Sequence, residues 1–265
     1  MNQKKLYFAA TTVLITFSIA SLALGEVLFS SSFDYGETGD ELQNVTSDFA
    51  VDGNDGNTIY DESINLTYPG YFSVGGTGAM IRGGNSPAVI NMTADLQSMQ
   101  NTPGTYYASL LVQGHVDLWA RSWQWIWAHR EGDIKYGNED DGAGQYHGTG
   151  VHVGDGPGGV NLLVAKIGIE DGNDTLRLVA NPDLSQGLAA LSTALDAAPA
   201  TTSRDISNGD ASNFAQFSRA PGTGDAFFDE WRVATSLAEV IPEPTSLTLL
   251  GMAFLLPLLV IRKKN

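Results

Sequence analysis

Trp119, Trp123, Trp125 and Trp127 share one parity in a short stretch of the chain. Alternate residues of a strand face the same side, so Trp123, Trp125 and Trp127 form a row, with Arg121 and His129 at the same parity on its rim. Flat indole faces suit stacking on the C–H surfaces of sugars, and Arg121 and His129 would add polar contacts. The same indoles also carry the largest apolar area that a strand can bury, so a core row is the other reading. Ala120, Ser122, Gln124, Ile126 and Ala128 on the opposite face are small enough for either arrangement.

Hard oxygen donors recur on Gly-rich turns: Asp52 and Asp55 in one, Glu139-Asp140-Asp141, Asp155-Gly156, and Asp171 and Asp174 in another. Oxygen ligands on tight turns are what Ca²⁺ needs, although neither the Asp52 nor the Asp171 segment has the Gly and Glu positions of an EF-hand loop. Each loop is therefore a solvated turn or part of a structural calcium site. His129, His147 and His152 lie near Glu131, Asp133 and the 139–141 acids, but without helical ligand spacing such as His-Glu-x-x-His, and zinc is disfavoured.

Hydrolysis of a glycosidic bond needs two carboxylates flanking it. Asp225, Asp229 and Glu230 do not reproduce the Glu-x-Asp-x-x-Glu arrangement of laminarinase-like hydrolases, and no Gly-x-Ser-x-Gly elbow or Gly-Lys-Ser phosphate loop occurs. With no cysteine there is no thiolate nucleophile, disulfide, Cys-ligated zinc or iron–sulfur cluster. The chain reads as non-catalytic.

These residues belong to a chain of 265 with 14 Lys plus Arg against 30 Asp plus Glu, a net charge of −16. Such a balance lacks the basic footprint that phosphate binding requires, and nucleic acid is excluded as a partner. Thirty glycines in that length mark a turn-rich fold. Short apolar or alternating runs between Gly, Asp, Asn and Pro clusters predict antiparallel strands. They fall near 27–33, 71–74, 88–92, 106–113, 123–130, 150–153, 161–169, 175–181, 214–219 and 226–234, enough for a two-sheet all-β sandwich. The runs either side of Glu170 to Asp174 should form a hairpin with Gly172 or Asn173 at positive φ. Only 188–197 has helical spacing, through Leu188, Leu191 and Leu195. In the last strand, Asp229 has the parity of Phe227 and Trp231, so its charge needs a sheet edge, a backbone N–H or an Arg.

The two ends read as addresses. Lys4 and Lys5, an apolar run from Leu6 to Ala20 and small residues at 23–25 form a secretory signal over residues 1–25, with cleavage by signal peptidase between Gly25 and Glu26. Residues 245–261 carry no charge and are followed by Arg262-Lys263-Lys264. At about 1.5 Å per residue such a helix just crosses a bilayer core, here the inner membrane, with the basic tail inside. Directly before it stands Pro242-Glu243-Pro244. This tripeptide, apolar helix and basic terminus together resemble the PEP-CTERM sorting signal, covering residues 241–265. The resemblance implies export to the cell surface or extracellular matrix of a Gram-negative bacterium, with an exosortase reading Pro242, Glu243 and Pro244, and exopolysaccharide nearby.

The intervening body, residues 26–240, opens on Leu28-Phe29-Ser30-Ser31-Ser32-Phe33-Asp34 and closes on Phe227-Phe228-Asp229-Glu230-Trp231-Arg232-Val233. These strands resemble the first and last strands of LamG-like, concanavalin A-like jelly rolls, and the resemblance implies that fold. The expected function is a non-catalytic surface or matrix protein that binds polysaccharide through the Trp123 to His129 face. A purely structural or adhesive matrix protein and a glycoside hydrolase on the same fold are the alternatives.

Overall fold

Every strand pairing in the protein is antiparallel among the described residues. The computed structural model describes residues 25–33, 49–51, 58–61, 64–73, 78–81, 88–91, 94–114, 116–119, 133–138, 145–172, 174–202, 213–219 and 226–241. Its strands are β1 (Val27–Ser31), β2 (Phe49–Val51), β3 (Thr58–Asp61), β4 (Gly78–Ile81), β5 (Ala88–Asn91), β6 (Gly104–Gln113), β7 (Val116–Trp119) and β8 (Asp133–Asn138). They continue with β9 (Gln145–His152), β10 (Val160–Ile169), β11 (Thr175–Ala180), β12 (Thr201–Thr202), β13 (Asn213–Arg219) and β14 (Ala226–Ala234). Among the described residues three α-helices accompany them: α1 (Ala94–Gln100), α2 (Gly187–Ala197) and α3 (Leu237–Val240).

The largest sheet runs β12-β11-β10-β6-β14-β4-β3, with β1 also on β14. A second sheet runs β2-β5-β13-β7, and β8 pairs with β9. Centre strands β6 and β10 pair along their full length, Ala108 opposite Ala165 and Leu110 opposite Leu163. Most of β10 is buried on both faces, which is why its sequence reads as an almost unbroken apolar run. The expected hairpin forms between β10 and β11, with Ile167 opposite Leu176 and Gly168 opposite Thr175. Gly172 takes φ +118° in its turn, a conformation that side chains disfavour.

Strand alternation sends two apolar sets to opposite faces. Ala108, Leu110, Val112, Leu163, Ala165, Ile167, Leu176 and Leu178 pack with Phe29, Phe33, Phe228 and Trp231, and are covered by Leu96 and Met99 of α1 and Ile134 and Tyr136 of β8. Leu111, Leu162 and Val164 face the other way, beneath Ile64, Leu66, Tyr68 and Tyr71, Leu191 and Leu195 of α2, and Leu237, Val240 and Ile241. Burial of Leu191 and Leu195 follows from their four-residue spacing.

Three features depart from the sequence reading. Helix α1 is additional to it, because seven residues with only Leu96 and Met99 on the apolar face give too short a period to recognise. Strands β2, β3, β4, β7, β8 and β12, two to six residues long, are also additional. Residues 71–73, expected as a strand, are irregular. The segment 64–68 does alternate buried and exposed like a strand, yet pairs with no strand among the described residues. Expected strand 123–130 and the terminal segments 1–24 and 242–265 lie outside the described residues, and among the described residues no helix is long and apolar enough to cross a membrane.

Phe228 is fully buried and meets Phe33 edge to face at 4.9 Å. Phe228→Ala should lower the unfolding free energy by about 3–5 kcal/mol, measured by urea denaturation.

Candidate functional site

Strand β14 contains the densest set of buried ionisable groups among the described residues: Asp229 and Glu230 are each 1% exposed and Arg232 is 7% exposed. Its pairing with β6 runs Phe228 opposite Val112 and Asp229 opposite Leu111, then resumes at Arg232 opposite Ser109. One extra residue therefore lies in β14, and Glu230 takes it up at φ +51°, a β-bulge with a non-glycine residue in left-handed conformation. The bulge resets the alternation, so Phe228 and Trp231 both enter the core of one face while Phe227 packs with the other. Strict alternation, which places Phe227 and Trp231 together, does not hold across it.

The opposite edge of β14 is shared. Residues 226–228 pair with β4 and residues 231–234 with β1, which leaves Asp229 and Glu230 between the two ladders. Segment 64–73 crosses here. The Leu66 N–H donates to Asp229 Oδ2 at 3.1 Å, and the Glu230 N–H to Asp229 Oδ1 at 2.7 Å. Thus Asp229 finds the backbone donors that its buried position requires.

Glu230 pairs with Arg232, Oε2 to Nη2 at 2.8 Å, and accepts from Ser73 Oγ at 2.9 Å. Arg232 Nη2 also reaches the Phe72 carbonyl at 3.4 Å, and its guanidinium lies 5.6 Å from the centroid of the Tyr71 ring. The Tyr71 hydroxyl is 3.0 Å from Ser109 Oγ and 3.2 Å from the Glu230 carbonyl, while Ser109 donates to the Val240 carbonyl at 2.7 Å. The network thereby ties segment 64–73 and α3 to β6 and β14.

Burial pushes the Asp229 carboxyl up to about 8, helped by the neighbouring Glu230 carboxylate and opposed by the Leu66 and Glu230 N–H groups and by Arg232. At neutral pH it is mainly protonated beside the Glu230–Arg232 ion pair. Burial likewise pushes the Tyr71 hydroxyl up to about 12, so it remains a donor. Both acids are thus buried and engaged with protein groups, and Asp229 accepts the Leu66 N–H where β14 has no strand partner among the described residues.

The other residues singled out from the sequence are dispersed. Arg121, Trp123, Trp125, Trp127 and His129 lie outside the described residues, as do Asp52, Asp55 and Pro242, Glu243 and Pro244. Trp119 ends β7, the terminal strand of the second sheet. Asp171 is exposed in the β10–β11 turn, whereas Asp174 is 2% exposed and accepts the Glu170 N–H at 2.9 Å. His147 lies on β9 with its ring 5.7 Å from that of Tyr136, and the His152 N–H donates to Asp155 Oδ2 at 2.9 Å. Among the described residues no group of three or more His, Asp or Glu side chains is placed to hold a metal ion. At the body's start, the Glu26 N–H donates to Thr235 Oγ1 at 2.7 Å and the Thr235 N–H to the Glu26 carbonyl at 2.9 Å. A Cβ on Gly25 would fall 2.2 Å from Ser236 Oγ, so the glycine permits this close approach.

Sequence reasoning identifies the unusual parity of Asp229 but misses Tyr71, Ser73, Ser109 and Arg232 as members of the network. The alternation of Ile64, Leu66 and Tyr68 is the available sign that an extended segment lies over the sheet.

No family model and no curated protein matches the chain. Among solved structures, it is similar to a GH131 β-glucanase catalytic domain from Podospora anserina at 9% identity and TM-score 0.42, covering 82% of this chain and 99% of that one. It is also similar to the binding domain of botulinum neurotoxin DC, solved in complex with rat synaptotagmin II, at 7% identity and TM-score 0.37, with 78% of this chain and 49% of that one covered. The C-terminal family 22 carbohydrate-binding module of Clostridium thermocellum Xyn10B follows at 12% identity and TM-score 0.28, covering 78% and 96%.

Two measurements test the buried cluster. The Asp229 carboxyl has a higher pKa folded than its ordinary 3.8, so the folded state holds the extra proton between these values. Stability should therefore fall as pH rises from about 4 to about 8, with a slope of up to about 1.4 kcal/mol per pH unit, and Asp229→Asn should flatten it in urea titrations at several pH values. Arg232→Met should cost about 3–5 kcal/mol by stranding Glu230, and adding Glu230→Met should recover much of that loss.

Proposed function

We propose that this chain is an exported, non-catalytic β-sandwich of the LamG-like, concanavalin A-like jelly-roll class that binds polysaccharide at the cell surface or in the extracellular matrix of a Gram-negative bacterium. The observation that carries the reading is the ordered C-terminal signal, Pro242-Glu243-Pro244, the apolar stretch 245–261 and the basic residues 262–264, attached to an antiparallel β body. In this reading signal peptidase cuts between Gly25 and Glu26, residues 245–261 hold the chain in the inner membrane, and an exosortase processes it at the Pro-Glu-Pro motif.

Features of the described body support it. Strand neighbours remote in sequence, such as β14 between β6 and β4, fit the crossed connections of a jelly roll. Ile241 is buried against the sheet and directly precedes Pro242, so the motif follows a packed part of the chain. The engagement of Asp229 and Glu230 in buried structural bonds supports a non-catalytic role. In this reading Trp123, Trp125 and Trp127, with Arg121 and His129, form the glycan platform.

The intact mass of the secreted product should lack residues 1–25 and end at or near residues 242–244; recovery of an unprocessed full-length chain would overturn the sorting assignment. On a glycan array, wild-type protein should bind and Trp125→Ala should lose about tenfold or more, consistent with removal of one stacking aromatic of about 1–3 kcal/mol. An unchanged signal would remove the tryptophan row from the site.

A further inference from the structure

We infer that the step from Asp171 to Gly172, in the turn of the β10–β11 hairpin, is a self-modification site at which the folded protein converts Asp171 to isoaspartate through a cyclic imide. The inference stands on the hairpin alone and does not depend on polysaccharide binding.

Such a conversion needs an aspartate carboxyl free to swing onto the nitrogen of the next residue, and a backbone nitrogen that nothing else engages. Asp171 and Gly172 are both exposed. Among the described residues the Asp171 carboxyl has no hydrogen-bond or ion-pair partner, and the Gly172 N–H has none either. Gly172 takes φ +118°, and no atom lies within 4 Å of where a Cβ would stand, so no neighbouring group crowds the approach.

A second Asp-Gly step among the described residues supplies the contrast. Asp155 precedes Gly156 after β9, yet Asp155 Oδ2 accepts the His152 N–H at 2.9 Å and the Gly156 N–H donates to Asn161 Oδ1 at 3.2 Å. Gly156 is also buried, and a Cβ on it would fall 1.6 Å from the Val160 carbonyl oxygen. The same dipeptide is locked in one turn and open in the other.

The chemistry uses only the chain and water. The Gly172 nitrogen attacks Asp171 Cγ; a C–N bond forms, and the carboxyl hydroxyl leaves as water with the amide hydrogen. Water then adds to one of the two imide carbonyls. Opening of the Cγ–N bond restores aspartate, whereas opening of the original peptide bond leaves the chain running through Cγ with a free α-carboxylate. One water is released and one consumed, with no change of oxidation state. The product carries one more backbone atom, placed between the Glu170 N–H and the Asp174 Oδ1 that accepts it at 2.9 Å, and beyond the last ladder pair, Gly168 opposite Thr175. The hairpin can therefore keep its register.

The test incubates the purified protein, folded and in parallel unfolded in urea, in heavy-oxygen water at mildly acidic pH, and maps isoaspartate by peptide mass spectrometry. In the folded protein Asp171 should gain isoaspartate and heavy oxygen about tenfold or more faster than Asp155, whose two hydrogen bonds must open before it reacts. In urea the two sites should convert at similar rates. Asp171→Glu should lose the product at that position, because its extra methylene would require a larger ring. Equal conversion of Asp155 and Asp171 in the folded protein would overturn the inference, as would an unmodified Asp171 in the folded protein when the unfolded chain converts there.

Discussion

A single carboxyl group stands where a strand would otherwise be. Between the ladder that β4 makes with the first part of β14 and the ladder that β1 makes with the second, the Leu66 amide is answered by Asp229. Buried amides must find acceptors, and the sheet supplies none at this point. The bulge at Glu230 makes the answer possible by turning Asp229 toward the overlying segment while returning Trp231 to the core. Asp229 fixes the Leu66 end of segment 64–73, while Tyr71, Ser73 and Arg232 hold its other end and Ser109 seats α3.

The cluster also shows how a small body tolerates three ionisable groups in its interior. Glu230 and Arg232 neutralise one another at close range, and Asp229 avoids a second negative charge by holding a proton near neutrality. Tyr71 roofs the guanidinium and joins Ser109 to the backbone of β14. These polar side chains do what a stack of apolar ones could do with less desolvation, but they fix where the irregular segment lies, which apolar contacts alone would not.

Much of the architecture is legible in the sequence where local and tertiary preferences agree. The β10–β11 hairpin combines two apolar runs with a Gly-rich turn, and its register and positive-φ glycine are those the pattern demands. Helix α2 is equally plain, because Leu188, Leu191 and Leu195 repeat at helical spacing. Short strands such as β3 and β4 are hidden, since four residues carry too little periodicity to stand apart from turns. The parity of Asp229 announces a buried acid in need of partners, but not that a bulge regroups its neighbours or that Tyr71, Ser73 and Ser109, distant in sequence, converge on it.

That β1 lies antiparallel to β14, with Val27 opposite Ala234 and Glu26 clasped to Thr235, has a mechanical corollary. Entry to and exit from the body share one corner. Tension drawn between the two would open this strand pair like a zipper, rupturing its bonds in succession, whereas a load borne through one end alone would leave the seam slack.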